Sequence, residues 1–488
     1  MQRSRRALSV GCVLGVLTLL AATLAACSSS HANAAQDTKK PNIVFVLTDD
    51  LAMNLISHMP HVQALQKSGM TMANYNVVDS LCCPSRSAIF TGEYPHDDGV
   101  FTNGGSDGGY AAYNKNGDPQ KAFALSLQKH GYTTGFMGKY LNGYDPTDKQ
   151  PAGWNEWDVA GNGYPEFNYT LNENGKQYKF GHDPKDYLVD VMSHKGGDFI
   201  HDNASKGKPF MLELATFAPH APYTPAPRFA GKASNVPYPK TPAYDTTPTN
   251  PPKWLTGRTP LTTQQQAQLK ASYDKRIEAD MAVDQMIGHL EDELKASGAA
   301  KNTYIVFSSD NGYHMGEYKL LAGKQTAFDT DIHVPMIASG PGIPAGRTST
   351  QLVSNIDVAP TFETLTGSAV GSTVDGVSMA NIWHGQRPAD WQQANLIEHH
   401  GPNDQPGDPD RQNAQHADPP TYEAVRTAGA LYVKYADGSQ EYYDTTKDPY
   451  ELHNIASGGV PPALPKALAA LQSCHGATAC QAAAQLSG

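Results

Sequence analysis

Four short apolar runs, rich in β-branched and aromatic residues, stand out along the chain, and each is bounded by polar or turn residues. These runs predict buried strands at residues 43–47, 210–214, 304–307 and 334–338. A weaker fifth run at 133–137 precedes Gly138 and Lys139. Helical stretches separate the runs, and continuous apolar strands need cover on both faces. The pattern therefore predicts an α/β fold with a large mixed, mostly parallel sheet sandwiched by helices.

The longest predicted helix runs from Thr262, as its N-cap, to Gly298, as its stop signal. Its apolar residues recur at helical spacing, which is typical of a face packed on the core. Two segments rich in Pro and polar residues, at 235–255 and 401–420, predict long surface loops. We expect these loops to supply walls of a substrate pocket.

Shorter strands are predicted after the second loop, at residues 422–425, 430–435 and 441–443. Asp437 and Gly438 lie between the last two and favour a tight antiparallel turn. The sequence therefore predicts a catalytic α/β domain over 41–385 and a small C-terminal α+β subdomain with an antiparallel sheet over 386–488.

The first 27 residues differ from the rest of the chain. Three arginines precede an apolar run that is too short and too rich in small residues for a membrane span, and a Leu-Ala-Ala-Cys sequence ending at Cys27 resembles a bacterial lipobox. We expect residues 1–27 to be a signal peptide, with Cys27 lipidated, and 28–40 to be a polar linker. The protein would be exported and held at the outer face of the cell membrane by this lipid alone. An ordinary secretory leader cleaved near Ala35 is the alternative.

The charge balance argues against one class of partner. Removing the three leader arginines from the 37 basic residues leaves 34 against 48 acidic residues, a net charge of −14. Nucleic-acid binding requires a basic footprint, so no nucleic-acid partner is expected. An anionic substrate must instead be met by a few local cations.

Reactive residue types follow the predicted strands: Asp49 and Asp50, Lys139, His220, and Asp310 with Asn311. Sites in open α/β sheets form beyond the carboxyl ends of the strands, so we expect these side chains to meet at one edge. The three aspartates and Asn311 offer only oxygen ligands, which suit Ca²⁺ or Mg²⁺ rather than zinc. Outside the cell Ca²⁺ is the expected ion. Taken singly, the first Asp pair could cap a helix, and Asn311-Gly312 could form a hairpin turn.

The most distinctive string is Cys82-Cys83-Pro84-Ser85-Arg86, which continues to a Thr-Gly pair at 91–92. In an oxidising compartment Cys474 and Cys480 can close a short disulfide loop, which isolates the pair at 82–83. A buried thiol pair or a structural disulfide remains the alternative for these two residues.

This string resembles the activation sequence of type I sulfatases, in which a formylglycine-generating enzyme oxidises the first Cys, here Cys82, to Cα-formylglycine. The resemblance extends over nearly the whole mature chain, including the Asp49-Asp50 and Asp310-Asn311 segments. Within the family the chain is most similar to N-acetylglucosamine-6-sulfatases, on segments 81–86, 138–142, 218–222 and 310–314.

The resemblance implies a sulfatase and alkaline-phosphatase-like fold and hydrolysis of aryl or sugar sulfate monoesters. It implies that one Ca²⁺ is bound by Asp49, Asp50, Asp310 and Asn311 together with the modified Cys82. The hydrate of the formylglycine would attack sulfur, and Arg86 would hold its deprotonated hydroxyl. Lys139 and Lys324 would clamp sulfate oxygens, and His220 would face the leaving group or the sulfate.

One departure from the family pattern bears on the mechanism. Leu141 stands where the best-known arylsulfatases carry a His, so the general base that restores the aldehyde is open among Asn142, His314 and His220. Asn142 and His314 are the candidate substrate contacts, and a structural His in a turn is the alternative for His314.

Three functions compete at this point. The first is an exported sulfatase. The second is a formylglycine-dependent phosphonate monoester or phosphodiester hydrolase, which is disfavoured because related enzymes tend to carry His where this chain has Asn311. The third is a non-catalytic carbohydrate-binding lipoprotein, which is disfavoured because every expected ligand is present.

Overall fold

The computed structural model describes residues 40–403 and 405–486. The predicted signal peptide, its lipidation site Cys27 and residues 28–39 of the predicted linker lie outside this part of the chain. Within the described residues, no helix has both the length and the apolar character needed to cross a bilayer.

Ten strands form the larger sheet. In chain order they are β1 (Asn42–Thr48), β2 (Met70–Asn76), β3 (Thr133–Lys139), β4 (Glu156–Ala160), β5 (Thr170–Glu173), β6 (Lys176–Lys179), β7 (Phe210–Ala215), β8 (Thr303–Ser309), β9 (Met336–Ser339) and β10 (Arg347–Ser354). Their order in space is β10-β2-β9-β8-β1-β7-β3-β4-β5-β6. The central strands β8, β1, β7, β3 and β4 pair in parallel. The predicted fold class, a mixed and mostly parallel sheet, is confirmed.

Helices cover both faces of this sheet, and the last two helices of the chain pack in the region of the second sheet described below. In chain order the helices are α1 (Pro60–Ser68), α2 (Cys82–Thr91), α3 (Pro95–Asp98), α4 (Gly109–Asn116), α5 (Phe123–Lys129), α6 (Leu188–Ser205), α7 (Thr263–Ala296), α8 (Asp329–Ile332), α9 (Val358–Thr366), α10 (Ala380–Trp383), α11 (Ala463–Leu471) and α12 (Ala477–Ala483). Alternate residues of β1 point to opposite faces: Phe45 packs in one buried cluster with residues of α2, α5 and α9, and Val46 packs in another with residues of α1, α6 and α7. The strand is therefore apolar throughout because neither face meets solvent.

The helix α7 shows why its ends could be predicted. The Thr262 Oγ1 accepts a hydrogen bond from the Gln265 amide, and the Gln265 side chain accepts one from the Thr262 amide, which is a capping box. At the other end Gly298 adopts a φ of +73°, a left-handed conformation that suits glycine. Both signals are local, so they act before any tertiary contact forms.

Two features of the sheet differ from the pattern-based expectation. The run predicted at 334–338 becomes the short strand β9, which pairs antiparallel with both β2 and β8. Strands β5 and β6 are antiparallel as well, and the whole of β6 is exposed. Exposed edge strands carry polar residues and lack the continuous apolar signal, so the sequence pattern does not reveal them.

A second, four-stranded antiparallel sheet lies towards the C-terminus. Its strands are β11 (Ala394–His399), β12 (Tyr422–Thr427), β13 (Ala430–Tyr435) and β14 (Gln440–Asp444), paired in that order. A disulfide joins Cys474, which follows α11, to Cys480 of α12. A third buried cluster contains Leu396 and Leu468 from this region together with Ala88 of α2, so the second sheet packs directly beside the helix that carries Cys82.

His96 links α3 to the second sheet and to the segment after α11. Its Nδ1 lies 2.8 Å from Glu398 Oε2 on β11, and its Nε2 lies 2.9 Å from the Cys474 carbonyl oxygen. Acceptors at both nitrogens favour the doubly protonated ring. Burial lowers the pKa of His96, but the hydrogen bond and charge of Glu398 outweigh burial and raise the pKa to about 9.

Replacement of His96 by Gln therefore has a pH-dependent effect. Because the folded-state pKa lies above the ordinary value of 6.5, the stabilisation is fully present below pH 6.5 and is lost as the pH rises through about 9. We predict that His96→Gln lowers the free energy of unfolding by about 1–2 kcal/mol at pH 6 and by much less at pH 10, as measured by urea denaturation. The mostly exposed His453 supplies a control, since His453→Gln should show no such difference. An equal loss at both pH values for His96→Gln would assign its role to packing rather than charge.

Candidate active site

Neighbouring parallel strands bring the predicted polar residues to one edge of the large sheet. Asp49 and Asp50 follow β1, Lys139 ends β3, His220 lies five residues after β7, and Asp310 and Asn311 follow β8. The spatial order β8-β1-β7-β3 places these strand ends side by side. Each of these side chains is buried, so their charges interact through protein rather than through bulk water.

Cys82 is the first residue of α2, and it points into this cluster. Its Sγ lies 3.1 Å from Asp49 Oδ1 and 2.8 Å from Lys324 Nζ. Burial, and then the charges of Asp310, Asp410 and Asp49, raise the pKa of the Cys82 thiol well above its usual value. The unmodified side chain is therefore held as a neutral thiol, which is a weak nucleophile.

Cys83 has a different environment. It is buried in the core cluster below the sheet edge, and its backbone amide donates a hydrogen bond to Asn103 Oδ1 at 2.9 Å. Both cysteines of the pair are free thiols, so the structure does not contain the disulfide between them that a structural interpretation allowed.

Arg86 lies one helical turn after Cys82 and connects three segments. Its Nε donates to Asp310 Oδ2 at 2.7 Å, its Nη1 donates to the Lys139 carbonyl oxygen at 2.9 Å, and its Nη2 lies 4.0 Å from Asp49 Oδ1. Burial and the nearby charge of Asp49 raise the pKa of Asp310 to about 6, and Arg86 opposes this rise. The guanidinium thus favours the ionised carboxylates on which a cation site would depend.

Two lysines donate hydrogen bonds to the aspartate pair. Lys139 Nζ donates to Asp49 Oδ2 at 2.5 Å, and Lys324 Nζ donates to Asp50 Oδ1 at 2.6 Å. Asp50 Oδ1 also accepts a hydrogen bond from Asn311 Nδ2 at 2.7 Å. These contacts engage both carboxylates of the aspartate pair. Neither Asp49 nor Asp50 serves as an N-cap of α1.

The donor set fits a hard divalent cation. Polar side-chain atoms of Asp49, Asp50, Cys82 and His220 lie within 4.8 Å of one another, which brings the two carboxylates and Cys82 close enough to share one ion. Among the described residues, the Asn311 Oδ1 atom is buried and has no hydrogen-bond partner, so this amide oxygen is available as a ligand beside the carboxylates. An oxygen-rich cluster of this kind suits Ca²⁺ or Mg²⁺.

His220 belongs to the cluster as a cation rather than as a ligand. Its Nδ1 lies 2.7 Å from the Ala221 carbonyl oxygen, and its Nε2 lies 2.8 Å from Asp410 Oδ1. Burial lowers the pKa of His220, but the charges of Asp50 and Asp410 raise it above the usual value. A ring that donates from both nitrogens has no lone pair to offer a metal.

Asp410 is a site residue that the sequence did not predict. The sequence places this residue in the predicted surface loop 401–420, yet its carboxylate is buried and its Oδ1 lies 2.8 Å from both Lys324 Nζ and His220 Nε2. The charges of Lys324 and His220 overcome burial and hold the pKa of Asp410 well below its usual value. An Asp in a Pro-rich loop has no periodic or motif signal, so only the folded chain identifies it.

Arg276 is a second residue of the site that the sequence did not predict. This buried residue of α7 donates through Nη2 to the Asp50 carbonyl oxygen, and its guanidinium carbon lies 4.3 Å from the Tyr313 ring centroid. Asp50 has a φ of +65°, which is uncommon for a residue other than glycine, and the hydrogen bond from Arg276 helps to hold that conformation. The sequence signal that could have identified Arg276 is the presence of a charged residue on the apolar face of α7.

The two candidate substrate contacts lie in different places. Asn142 lines a cavity of about 280 Å³ that also reaches Lys139, Tyr164 and residues 405–409. Its Oδ1 is buried and has no hydrogen-bond partner among the described residues, so it can accept one from a ligand. A larger cavity of about 580 Å³ begins near Thr133, at the opposite ends of the strands, and is remote from this chemistry.

His314 lies apart from the Cys82 contacts. Its Nδ1 lies 3.0 Å from Asp331, and its Nε2 lies 2.9 Å from the His416 carbonyl oxygen. With both ring nitrogens engaged in a fully buried position, His314 has contacts typical of a structural His, and its role as a substrate contact stays a prediction.

The chain is similar to known sulfatases over most of its length. Residues 41–368 match the sulfatase family, and residues 316–470 match the C-terminal region of N-sulphoglucosamine sulphohydrolase. An N-acetylglucosamine-6-sulfatase of Homo sapiens is 35% identical over 480 residues, covering 91% of this chain and 86% of that protein. An extracellular sulfatase SULF-1 homolog of Drosophila melanogaster is 33% identical, covering 76% of this chain and 34% of its own length.

Solved structures share the fold. A protein in complex with its substrate D-glucosamine-2-N,6-O-disulfate has a TM-score of 0.70 and 24% identity, covering 86% of this chain and 93% of that one. A phosphonate monoester hydrolase from Silicibacter pomeroyi has a TM-score of 0.66 and 20% identity, covering 88% and 94%. These two likenesses concern the fold. The family match over more than half of the chain and the 35% identical relative establish that this chain belongs to the sulfatase family and is a sulfuric ester hydrolase.

Proposed function

We propose that this protein is an exported sulfatase that hydrolyses a sugar sulfate monoester through a formylglycine made from Cys82, beside a bound Ca²⁺. The observation that carries the proposal is the position of Cys82, whose Sγ lies at the start of α2 between Asp49 and Lys324. A sugar substrate is supported by the relatives, which include N-acetylglucosamine-6-sulfatases and a protein solved with D-glucosamine-2-N,6-O-disulfate.

Export is proposed on three grounds. The chain begins with the leader-like segment that ends at Cys27, where a lipid would tether the protein. The disulfide between Cys474 and Cys480 is typical of an oxidising compartment. Relatives at 33–34% identity are named extracellular sulfatases.

The charges of the site favour an anionic substrate. Four cationic side chains face four carboxylates in this cluster: Arg86, Lys139, His220 and Lys324 against Asp49, Asp50, Asp310 and Asp410. These charges balance one another, so a divalent cation would leave the site net positive. The single negative charge of a sulfate monoester would then offset part of this excess, in a volume where uncompensated charge is costly.

Two groups would complete the chemistry. Asp49, Asp50, Asp310 and Asn311 would hold the cation, which would neutralise charge on the sulfate when bound. The modified Cys82 would supply a hydrated aldehyde hydroxyl as the nucleophile.

Side chains of this protein would bind the sulfate and transfer the proton. Lys139 pairs with Asp49 and Lys324 contacts Cys82, so both ammonium groups would bind sulfate oxygens and stabilise the charge that develops on them. Arg86 would fix the carboxylates and the hydroxyl at residue 82. The His220 ring lies 2.8 Å from Asp410 in the same cluster, and in its protonated form it would donate a proton to the leaving oxygen. Leu141 is buried in the core and offers no base.

The two adjacent cysteines provide a matched test. We predict that Cys82→Ala abolishes sulfate release from an aryl or sugar sulfate, because the nucleophile is lost, whereas Cys83→Ala retains activity within about threefold, because Cys83 only fills the core. Peptide mass spectrometry should find formylglycine at position 82 and an intact thiol at position 83. Both variants should keep the wild-type melting temperature within a few degrees.

The same assay separates the competing hydrolase. Wild-type rates on matched aryl sulfate and aryl phosphonate monoester substrates should favour the sulfate. A large preference for the phosphonate would replace the sulfatase proposal with the phosphonate hydrolase, and an unmodified Cys82 in active protein would refute the formylglycine.

Calcium should stabilise the folded protein independently of turnover. A ligand that binds the native state raises the melting temperature, so added Ca²⁺ should raise it by several degrees and EDTA should reverse the rise. Asn311→Ala removes a proposed ligand and should reduce this shift by at least half. The exposed Asn54 provides the control, since Asn54→Ala should leave the shift unchanged. A larger shift with Mg²⁺ than with Ca²⁺ would reverse the choice of ion.

A further inference from the structure

Three partners surround the Lys324 ammonium group, two through hydrogen bonds and Asp410 through an ion pair. An ammonium group has three N–H donors, and Lys324 Nζ lies 2.6 Å from Asp50 Oδ1, 2.8 Å from Cys82 Sγ and 2.8 Å from Asp410 Oδ1. A sulfate that is to be bound by Lys324 must therefore take the place of one of these three acceptors.

Both ring nitrogens of His220 also have partners. Its two N–H donors face the Ala221 carbonyl oxygen at 2.7 Å and Asp410 Oδ1 at 2.8 Å. One oxygen atom of Asp410 thus contacts both cations, as a hydrogen-bond partner of His220 and an ion-pair partner of Lys324. Ala221 offers a backbone acceptor one residue away from the ring, and it cannot leave without unfolding the local turn. Asp410 is the acceptor that Lys324 and His220 share.

We propose that Asp410 competes with sulfate for Lys324 and His220, and thereby sets how weakly the site holds the sulfate product. This inference rests on the proposed function, since it takes the two cations to be part of the sulfate-binding site. Asp50 and Cys82 are needed for the cation site and for the nucleophile, so Asp410 is the acceptor that sulfate replaces. A carboxylate oxygen is also a close chemical substitute for a sulfate oxygen, because both are anionic acceptors.

Asp410 is held in this place by contacts outside the cation pair. Its Oδ2 accepts from Asn103 Nδ2 at 2.8 Å, its carbonyl oxygen accepts from Gln325 Nε2 at 2.8 Å, and its amide donates to Asp408 Oδ1 at 2.9 Å. The carboxylate is therefore preorganised on the cations rather than one of many positions of a surface side chain.

A nearby cavity supports this position for an incoming sulfate. Residues 405–409, immediately before Asp410, line the 280 Å³ cavity that Lys139 also lines. A sulfate bound in this cavity would therefore lie close to Lys139 and to Pro409, the residue before Asp410. The competition has a functional consequence, because a buried site with four cationic side chains and a divalent ion would otherwise retain a free sulfate ion strongly.

Binding of inorganic sulfate tests the inference directly. We predict that Asp410→Asn, which keeps the shape of the side chain but removes its charge, lowers the sulfate Kd of the Ca²⁺-loaded protein by about tenfold or more, as measured by titration calorimetry at pH 7. The constant for inhibition of turnover by sulfate should fall in parallel. A side chain with only a structural role gives the opposite sign, since its loss would disorder Lys324 and His220 and weaken sulfate binding.

Two further variants keep the test decisive. Asp107→Asn removes a carboxylate from the loop that also carries Asn103; because Asp107 pairs with His400 instead, its variant should bind sulfate within about threefold of the wild type. Asp410→Ser provides a second removal of the charge if Asp410→Asn melts at a lower temperature, and it should also bind sulfate more tightly.

The results that would overturn this inference differ from the result that would overturn the proposed function. Unchanged or weaker sulfate binding in both Asp410 variants would overturn the inference, and so would an equal gain in Asp107→Asn or the absence of sulfate binding in every protein. The proposed function fails on a different observation, namely that wild-type protein with verified formylglycine releases no sulfate from an ester.

Discussion

Oppositely charged side chains form a buried network at the carboxyl edge of the large sheet, and the elements around it must meet for this network to exist. Asp49 contacts Lys139 and Cys82 and lies 4.0 Å from Arg86, and Asp50 contacts Lys324. An isolated buried charge costs several kcal/mol, so each member of the network requires its partners to be in place. The ends of β1, β3, β7 and β8 and the start of α2 must therefore meet, and the same condition that stabilises the fold assembles the site.

Elements far from the edge serve this network. The helix α7 spans one face of the sheet, and its Arg276 reaches the carbonyl oxygen of Asp50 and that of Pro219, the residue before His220. One guanidinium thus ties together the turns after β1 and β7. The charge is buried because it replaces water as the donor to two backbone carbonyls, which a buried turn cannot leave unpaired.

The second sheet contributes to the site as well as to the core. The segment that carries Asp410 leaves β11 and returns to β12, and its ends are joined by a hydrogen bond from the Thr421 amide to the Gly401 carbonyl oxygen at 3.1 Å. The antiparallel pairing of β11 and β12 therefore fixes where this segment starts and ends, and the contacts of Asp410 with Lys324 and His220 bring its middle over the cations. In this way a loop that is polar in sequence becomes a buried wall of the site.

Apolar runs and helix caps are local signals, so the sequence was enough to predict the positions of β1, β3, β7, β8 and β9, the ends of α7, the fold class and the polar residues that follow the strands. It also singled out Cys82, whose motif is continuous along the chain. The strand β4, the antiparallel direction of β9 and the buried contacts of His314 became visible only in the folded chain. The folded chain alone revealed the contacts of Arg276 and Asp410. The physical reason is separation along the chain: His220 and Asp410 are 190 residues apart, and no local pattern encodes which loop residue meets a given cation once the sheet has formed.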